Sequence, residues 1–260
     1  MRSILVTNDD GVHSEGVHAL AGALRVLGRV LVVAPHVEAS AIGHALTLRR
    51  PLRLEQLRDG VYEVDGTPSD CVNVAFTKLY PSPPDLIVSG INKGYNLGDD
   101  VTYSGTVSGA LEGALLGVPS IAVSQERTLG VYDFSHSAAA AATIAALVLN
   151  EGVRDGLIGP QTFLSLNVPG GTPKGFRLTV QAKRNHVTTV DERIDPRGRA
   201  YYWIEEGENA WEPHDRSDFQ AVRDGYVSVT PLQPDMTDHD ALARLESLAL
   251  DRLDLMPRTR

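Results

Sequence analysis

Asp9 and Asp10 are adjacent carboxylates that follow the short apolar run Ile4-Leu5-Val6, inside the segment Thr7-Asn8-Asp9-Asp10-Gly11. Two like charges where a buried strand opens into a turn repel each other, and a bound cation is the usual reason to tolerate them. Metal binding is the chemistry this spacing suits. Asp-Gly is also a strong turn signal, and taken alone the tetrapeptide reads more readily as a solvated loop. The rest of the chain shifts that balance.

Two further segments leave predicted strands with oxygen-bearing side chains: Pro35-His36-Val37-Glu38-Ala39-Ser40 and Ser89-Gly90-Ile91-Asn92. Asp9 and Asp10 would supply anionic oxygens, Ser40 a hydroxyl and Asn92 an amide carbonyl. This hard-donor set suits Mg²⁺, Mn²⁺ or Ca²⁺, and it lacks the thiolates and clustered imidazoles of structural zinc. Individually Ser40 and Asn92 are ordinary turn residues, and their value comes from position.

Tyr103-Ser104-Gly105-Thr106-Val107 opens a predicted helix. N–H groups and the helix dipole make such an end a seat for phosphate, although Ser104 or Thr106 could equally be plain caps. No Gly-x-Gly-x-x-Gly follows the first strand and no Gly-x-x-x-x-Gly-Lys-Ser/Thr loop occurs, which disfavours a nicotinamide enzyme or an NTPase. His13, His44 and His239 show no partner in sequence that would tune them, so none is assigned as a general acid.

These groups must be held by elements, and the elements alternate. Ile4 to Val6, Val30 to Ala34, Val61 to Val64, Leu86 to Val88 and Ile121 to Val123 read as strands. Val17 to Leu27 and Thr106 to Leu116 read as helices, so the pattern predicts βαβ units and a parallel sheet covered by helices. Thr67-Pro68-Ser69-Asp70 has the form of a capping box with proline at the first helical position. A long Gly-rich loop is expected from Gly90 to Gly105, and loops of that length inside a compact domain usually carry function.

Beyond Asn150 the texture changes. Phe163 to Val168 is a strand, while Ala200 to Ile204 and Tyr226 to Val229 suggest hairpins or arms, so a smaller β-rich portion is expected there. Leu242, Leu245, Leu248, Leu250 and Leu253 give Asp238 to Leu255 a helical pattern that either packs on its own domain or reaches a neighbouring subunit. The expected division is 1–150 as the metal- and phosphate-binding core, and 151–260 as completion of that core, hairpin arms and a terminal helix used in oligomerisation.

With 260 residues, 42% of them apolar, the chain can fill a substantial core. A formal charge of −9 argues against gripping duplex nucleic acid. The single cysteine, Cys71, suits a reducing compartment; with no apolar signal region before Asp9, a cytoplasmic location is expected. Ala138 to Leu149 is too short to span a bilayer, so no membrane role is expected.

Taken together, these segments resemble the SurE family, the stationary-phase survival proteins that act as nucleoside monophosphate phosphatases. The matching blocks are Ile4 to Gly11, Val32 to Pro35, Asp65 to Val72, Ser89 to Asn92, Asn96 to Gly98, Tyr103 to Val107 and Gly225 to Leu232, in fixed order over nearly the whole chain. At His36 the chain departs from the Asp that the family commonly carries after Ala-Pro. The resemblance implies an α/β, Rossmann-like domain and hydrolysis of nucleoside 5′- and 3′-monophosphates, with short polyphosphate as a further substrate. It also implies one divalent cation per subunit on Asp9, Asp10, Ser40 and Asn92, and a homodimer or homotetramer using C-terminal exchange.

A phosphomonoester repels nucleophiles through its own charge, so the site needs charge neutralisation and in-line positioning more than a strong base. The expected reaction is attack by metal-bound water, with Mg²⁺ or Mn²⁺ chiefly stabilising charge and Asp9 accepting a hydrogen bond from that water. Asn96, Ser104, Gly105 and Thr106 would hold the phosphate oxygens. The competing readings are an aspartyl-phosphate intermediate on Asp9 or Asp10, and a nucleotide sensor without turnover.

Overall fold

The computed structural model describes residues 1–127, 130–152, 156, 158–159, 161–185, 188–206 and 210–246. Its centre is a nine-stranded sheet. In chain order the first half contributes β1 (Ser3–Thr7), α1 (Glu15–Leu24), β2 (Arg29–Pro35), β3 (Leu54–Arg58), β4 (Val61–Val64), α2 (Pro68–Lys78), β5 (Leu86–Lys93), α3 (Gly105–Leu115), β6 (Ser120–Gln125) and α4 (Ser135–Leu147). The second half contributes β7 (Phe163–Val168), β8 (Phe176–Leu178), β9 (Arg184–Asn185), β10 (Thr188–Ile194), β11 (Ala200–Glu206), β12 (Ala210–Trp211), α5 (Asp218–Arg223), β13 (Val227–Leu232) and α6 (His239–Leu245).

The sheet order is β3-β4-β2-β1-β5-β6-β7-β13-β8. From β4 to β7 neighbouring strands are parallel, β3 and β13 are antiparallel additions, and β8 runs parallel to β13. Counting only the central parallel strands in chain order, the arrangement is 3-2-1-4-5-6, the Rossmann order, with its switch point between β1 and β5. Asp9 leaves β1 and Asn92 lies at the end of β5, so the two strands flanking that switch point deliver both.

Strand alternation sends side chains to two layers. Ile4, Val6, Val32, Val88 and Ile121 pack beneath α1 and α4, whereas Leu5, Val33, Ile87 and Cys71 pack with α2 on the opposite face. Val107, Ala110 and Ala114 of α3 lie on Ala122 and Phe163. Both sheet faces are therefore covered, which is why these strands are nearly continuous apolar runs. At the start of α2 the capping box forms: the Thr67 hydroxyl accepts from the Asp70 N–H, and the Asp70 carboxylate accepts from the Thr67 N–H.

Two expectations need correction. The Gly-rich loop is shorter than Gly90 to Gly105, because β5 continues through Asn92 and Lys93 and the chain makes a 3₁₀ turn at Gly98–Thr102. The strand passes Gly90 with a register shift against β6, at a position where a Cβ would lie 2.3 Å from the Val123 carbonyl oxygen. An irregularity absorbed this way leaves no periodic signal in sequence. Tyr226 to Val229 is not an arm either: Val227–Leu232 is β13, paired antiparallel with β7 in the main sheet.

Ala200 to Ile204 does lie in a hairpin, β10 against β11, outside the main sheet. That hairpin exposes Val190, Ile194, Tyr202, Trp203 and Ile204. The terminal pattern begins as α6, capped by Asp238. Leu248, Leu250 and Leu253 lie outside the described residues. No helix among the described residues is long and apolar enough to cross a membrane.

Candidate metal and phosphate site

Asp9 is buried where the turn after β1 meets the first turn of α3. Its Oδ2 accepts from the Thr106 N–H at 3.0 Å, and its Oδ1 accepts the Thr106 hydroxyl proton in a very short contact. Its carbonyl oxygen accepts from the Ala39 N–H at 2.8 Å, tying the turn to the loop after β2. Space here is limited: a Cβ on Gly105 would lie 2.8 Å from the Asp9 Cβ and 2.9 Å from its Oδ2. Burial raises the Asp9 carboxyl above the ordinary range, and the negative Glu38 adds to this, while the Thr106 hydrogen bonds oppose it.

Asp10 is the freer carboxylate. Its Oδ2 is buried with no hydrogen-bond partner among the described residues. Burial first, then the neighbouring Asp9 and Glu38 charges, push its pKa up to about 6, against the pull of the Lys93 charge and N–H. Lys93, the residue after Asn92, ends β5, which pairs with β1, so the ends of these two strands bring the Lys93 charge towards this carboxylate.

The Asn8 amide secures the turn by donating to the Gly11 carbonyl at 3.1 Å and to the Ser14 hydroxyl at 2.8 Å. Its Oδ1 is buried without a partner among the described residues. Asn92 donates its Nδ2 to the Gly94 carbonyl at 2.9 Å, a bond that does not use the amide oxygen expected to ligate. Ser40 is exposed, and its hydroxyl donates to Glu38 Oε1 at 2.8 Å rather than to either aspartate.

The expected phosphate residues divide by role. Ser104 caps α3 by accepting from the Val107 N–H at 3.1 Å. Thr106 spends its N–H and its hydroxyl on Asp9. Asn96 is clamped into the sheet: its N–H donates to Asn167 Oδ1 at 2.8 Å, its carbonyl accepts from the Asn167 amide at 3.1 Å, and its own Nδ2 donates to Ser124 Oγ at 2.7 Å. The strand ends thus hold this loop at the same rim as the carboxylates.

A divalent cation fits the donors present. Buried Asp9 and half-buried Asp10, the latter with an unpartnered oxygen, lack positive charge; among the described residues no three His, Cys, Asp or Glu side chains converge as a metal group, so amide and hydroxyl oxygens would have to complete the shell. Hard oxygens favour a hard divalent cation over softer ions. Sequence reasoning missed Glu38, Asn8, Lys93 and Asn167. Lys93 and Glu38 lie beside or near named ligands, whereas nothing local in sequence marks Asn167, which meets Asn96 only through the register of β6 and β7.

Of the histidines, His44 Nε2 contacts Glu112 Oε2 at 2.5 Å and His239 Nε2 lies 3.3 Å from Asp235 Oδ2. Glu112 is six residues beyond Thr106 on α3, about 9 Å further along the helix axis. His44 therefore fastens the loop after Ser40 to the helix layer.

The family model for survival protein SurE matches residues 4–188. A protein from Syntrophotalea carbinolica named 5′-nucleotidase SurE is 52% identical over 236 residues, covering 90% of this chain and 92% of that one. Another of the same name from Geobacter sulfurreducens is 49% identical over 249 residues, covering 94% and 93%. The crystal structure of the SurE protein from Aquifex aeolicus superposes with a TM-score of 0.83 at 43% identity, covering 95% of this chain and 99% of that one.

Proposed function

The chain belongs to the SurE family, and from that premise we propose that it is a divalent-metal-dependent phosphomonoesterase acting on nucleoside 5′- and 3′-monophosphates, with short polyphosphate as a further substrate. The relatives bearing the name 5′-nucleotidase favour turnover over a sensor without catalysis. The observation that carries the reading is the Asp9-Asp10 pair at the switch point of the sheet, with the first turn of α3 fixing one of the two carboxylates.

Asp9, Asp10 and the Asn92 amide oxygen would hold the cation, with Ser40 joining once its hydroxyl leaves Glu38. Bound there, Mg²⁺ or Mn²⁺ would neutralise phosphoryl charge, the chief obstacle to attack on a monoester. Thr106 fixes the orientation of Asp9 by bonding both of its oxygens. That hold also makes Asp9 a poor nucleophile and a poor acceptor for attacking water. Asp10, with its unpartnered oxygen, is the better group to accept a hydrogen bond from the water and aim it in line. The role first assigned to Asp9 thus passes to Asp10. The N-terminal turn of α3 and the Asn96 loop bear on the phosphate oxygens through their position at this rim.

The exposed apolar residues of the β10–β11 hairpin support a homodimer or homotetramer, and the composition supports a cytoplasmic location. The deciding experiment is phosphate release from AMP and GMP with Mg²⁺ or Mn²⁺. Turnover that a chelator abolishes and Asp9→Asn loses supports the reading; chelator-resistant turnover, or none in any metal, sinks it. Light scattering during gel filtration checks the oligomer, and a purely monomeric protein removes that part.

A further inference from the structure

Lys93 and Arg127 flank Asn92 with their charges unspent: neither forms an ion pair among the described residues. Register brings them together. Lys93 pairs with Gln125 across β5 and β6, and the Gly94 N–H donates to the Gln125 carbonyl at 3.0 Å, so Arg127 leaves β6 alongside the end of β5. A Cβ on Gly94 would lie 4.0 Å from both Arg127 Nε and Asn92 Nδ2, so the guanidinium and the Asn92 amide share one side of that glycine. Lys93 directly follows Asn92, and its charge is felt at Asp10.

The lysine is held off the carboxylates. Its Nζ lies 5.3 Å from the ring centroid of Tyr132, and that ring stacks on buried Phe134 with centroids 5.6 Å apart. An ammonium seated on an aromatic face keeps its charge without entering an ion pair. The Asp10 oxygen that has no partner therefore stays open to a cation. Glu126, the carboxylate next to Arg127 in the chain, is spent on the Gly170 N–H at 2.7 Å.

Charge explains the need for both groups. Asp9, Asp10 and Glu38 lie on the loops after β1 and β2, and the Glu38 charge is felt at both aspartates. With all three ionised, one divalent cation leaves the site negative, and a phosphomonoester at neutral pH adds close to two negative charges more. Two uncommitted side-chain cations reverse that sign. Lysine and arginine are also the side chains that take phosphate oxygens by charge-assisted hydrogen bonds.

Resting on the phosphatase reading above, we propose that Lys93 and Arg127 grip the phosphate oxygens of the substrate from the β5–β6 side, opposite the carboxylates, and supply the net positive charge that a dianionic ester requires. The Tyr132 ring keeps the lysine poised for the ester rather than for Asp10.

The test measures KM for AMP and inhibition by inorganic phosphate in Mn²⁺-loaded protein, with Mn²⁺ affinity titrated separately in the absence of substrate. Lys93→Met and Arg127→Met should each raise KM and the phosphate inhibition constant by about tenfold or more, as loss of a charge-assisted hydrogen bond implies. Lys93→Arg should restore most of the loss. Mn²⁺ binding to the substrate-free variants should be unchanged or tighter, because a positive charge has left the surroundings of the cation. A KM and phosphate inhibition equal to wild type in either folded variant overturns the proposal, and so does Mn²⁺ binding that weakens as much as KM rises, which marks a structural role. If circular dichroism shows Lys93→Met unfolded, the exposed Arg127 decides alone. If AMP is not hydrolysed at all, the phosphatase reading falls and calorimetry of inorganic phosphate binding to the Mn²⁺-loaded protein decides the cation pair separately. Binding that weakens tenfold in the variants supports the pair; no binding, or binding undiminished in the variants, overturns it.

Discussion

Thr106 donates its backbone N–H to one oxygen of Asp9 and its hydroxyl to the other, so this residue of the α3 N-terminus is committed to positioning a carboxylate. Thr106→Val keeps the side-chain shape and removes the hydroxyl. Loss of one orienting bond to a ligating carboxylate should weaken metal affinity or activity by about 10–100-fold, and Thr106→Ser should restore most of it. Metal titration and steady-state rates on the three proteins check this. Equal rates in wild type and Thr106→Val would remove the positioning role.

Gly105→Ala places a Cβ against Asp9 and 3.2 Å from the Ala39 carbonyl oxygen. The contacts are to backbone and to a short, fixed side chain, so the site must shift. We expect about 1–3 kcal/mol of destabilisation in urea unfolding, together with a loss of phosphate release that exceeds what unfolding explains.

Asp10→Asn should separate stability from function. Buried Asp9 and half-buried Asp10 repel each other when no cation is bound, so in chelator at neutral pH the variant should melt higher than wild type, by about 2–4 °C for each kcal/mol relieved. Adding Mn²⁺ should raise the wild-type melting point and leave the variant nearly unchanged, because a ligand that binds only the folded state stabilises it by mass action. A variant that melts lower in chelator would show that Asp10 contributes to the apo fold.

The Glu112 carboxylate provides a pH signature remote from the aspartates. Burial alone would raise its pKa, yet the contact with His44 and the hydrogen bond from Asn73 outweigh that and hold it below the usual 4.5. The unfolded chain therefore binds the proton more tightly than the folded one. The stabilisation is complete above about pH 4.5 and is lost as pH falls through the lower folded value. Glu112→Gln should be less stable than wild type at neutral pH by about 1 kcal/mol. The difference should shrink as pH drops below 4.5 in chemical denaturation, and a gap that widens there would contradict the assignment.

Much of the molecule was legible in the chain itself, because burial on both faces of a parallel sheet leaves continuous apolar runs and helix starts follow local capping rules. Val61 to Val64, Phe163 to Val168 and the Thr67 capping box stand as read. The adjacency of Asp9 and Asp10 is covalent, so their mutual repulsion and its call for a cation are properties of the sequence. What Thr106 does is not. Its choice between cap, phosphate donor and clamp depends on α3 arriving beside β1, 97 residues away along the chain. The same holds for Asp10 as the carboxylate with a free oxygen, for the turn of Ser40 towards Glu38, and for the Asn96–Asn167 clamp. Each is a pairing between strand ends or a helix end brought together only by sheet order and register, and no local pattern of residues encodes which distant partner a side chain will meet.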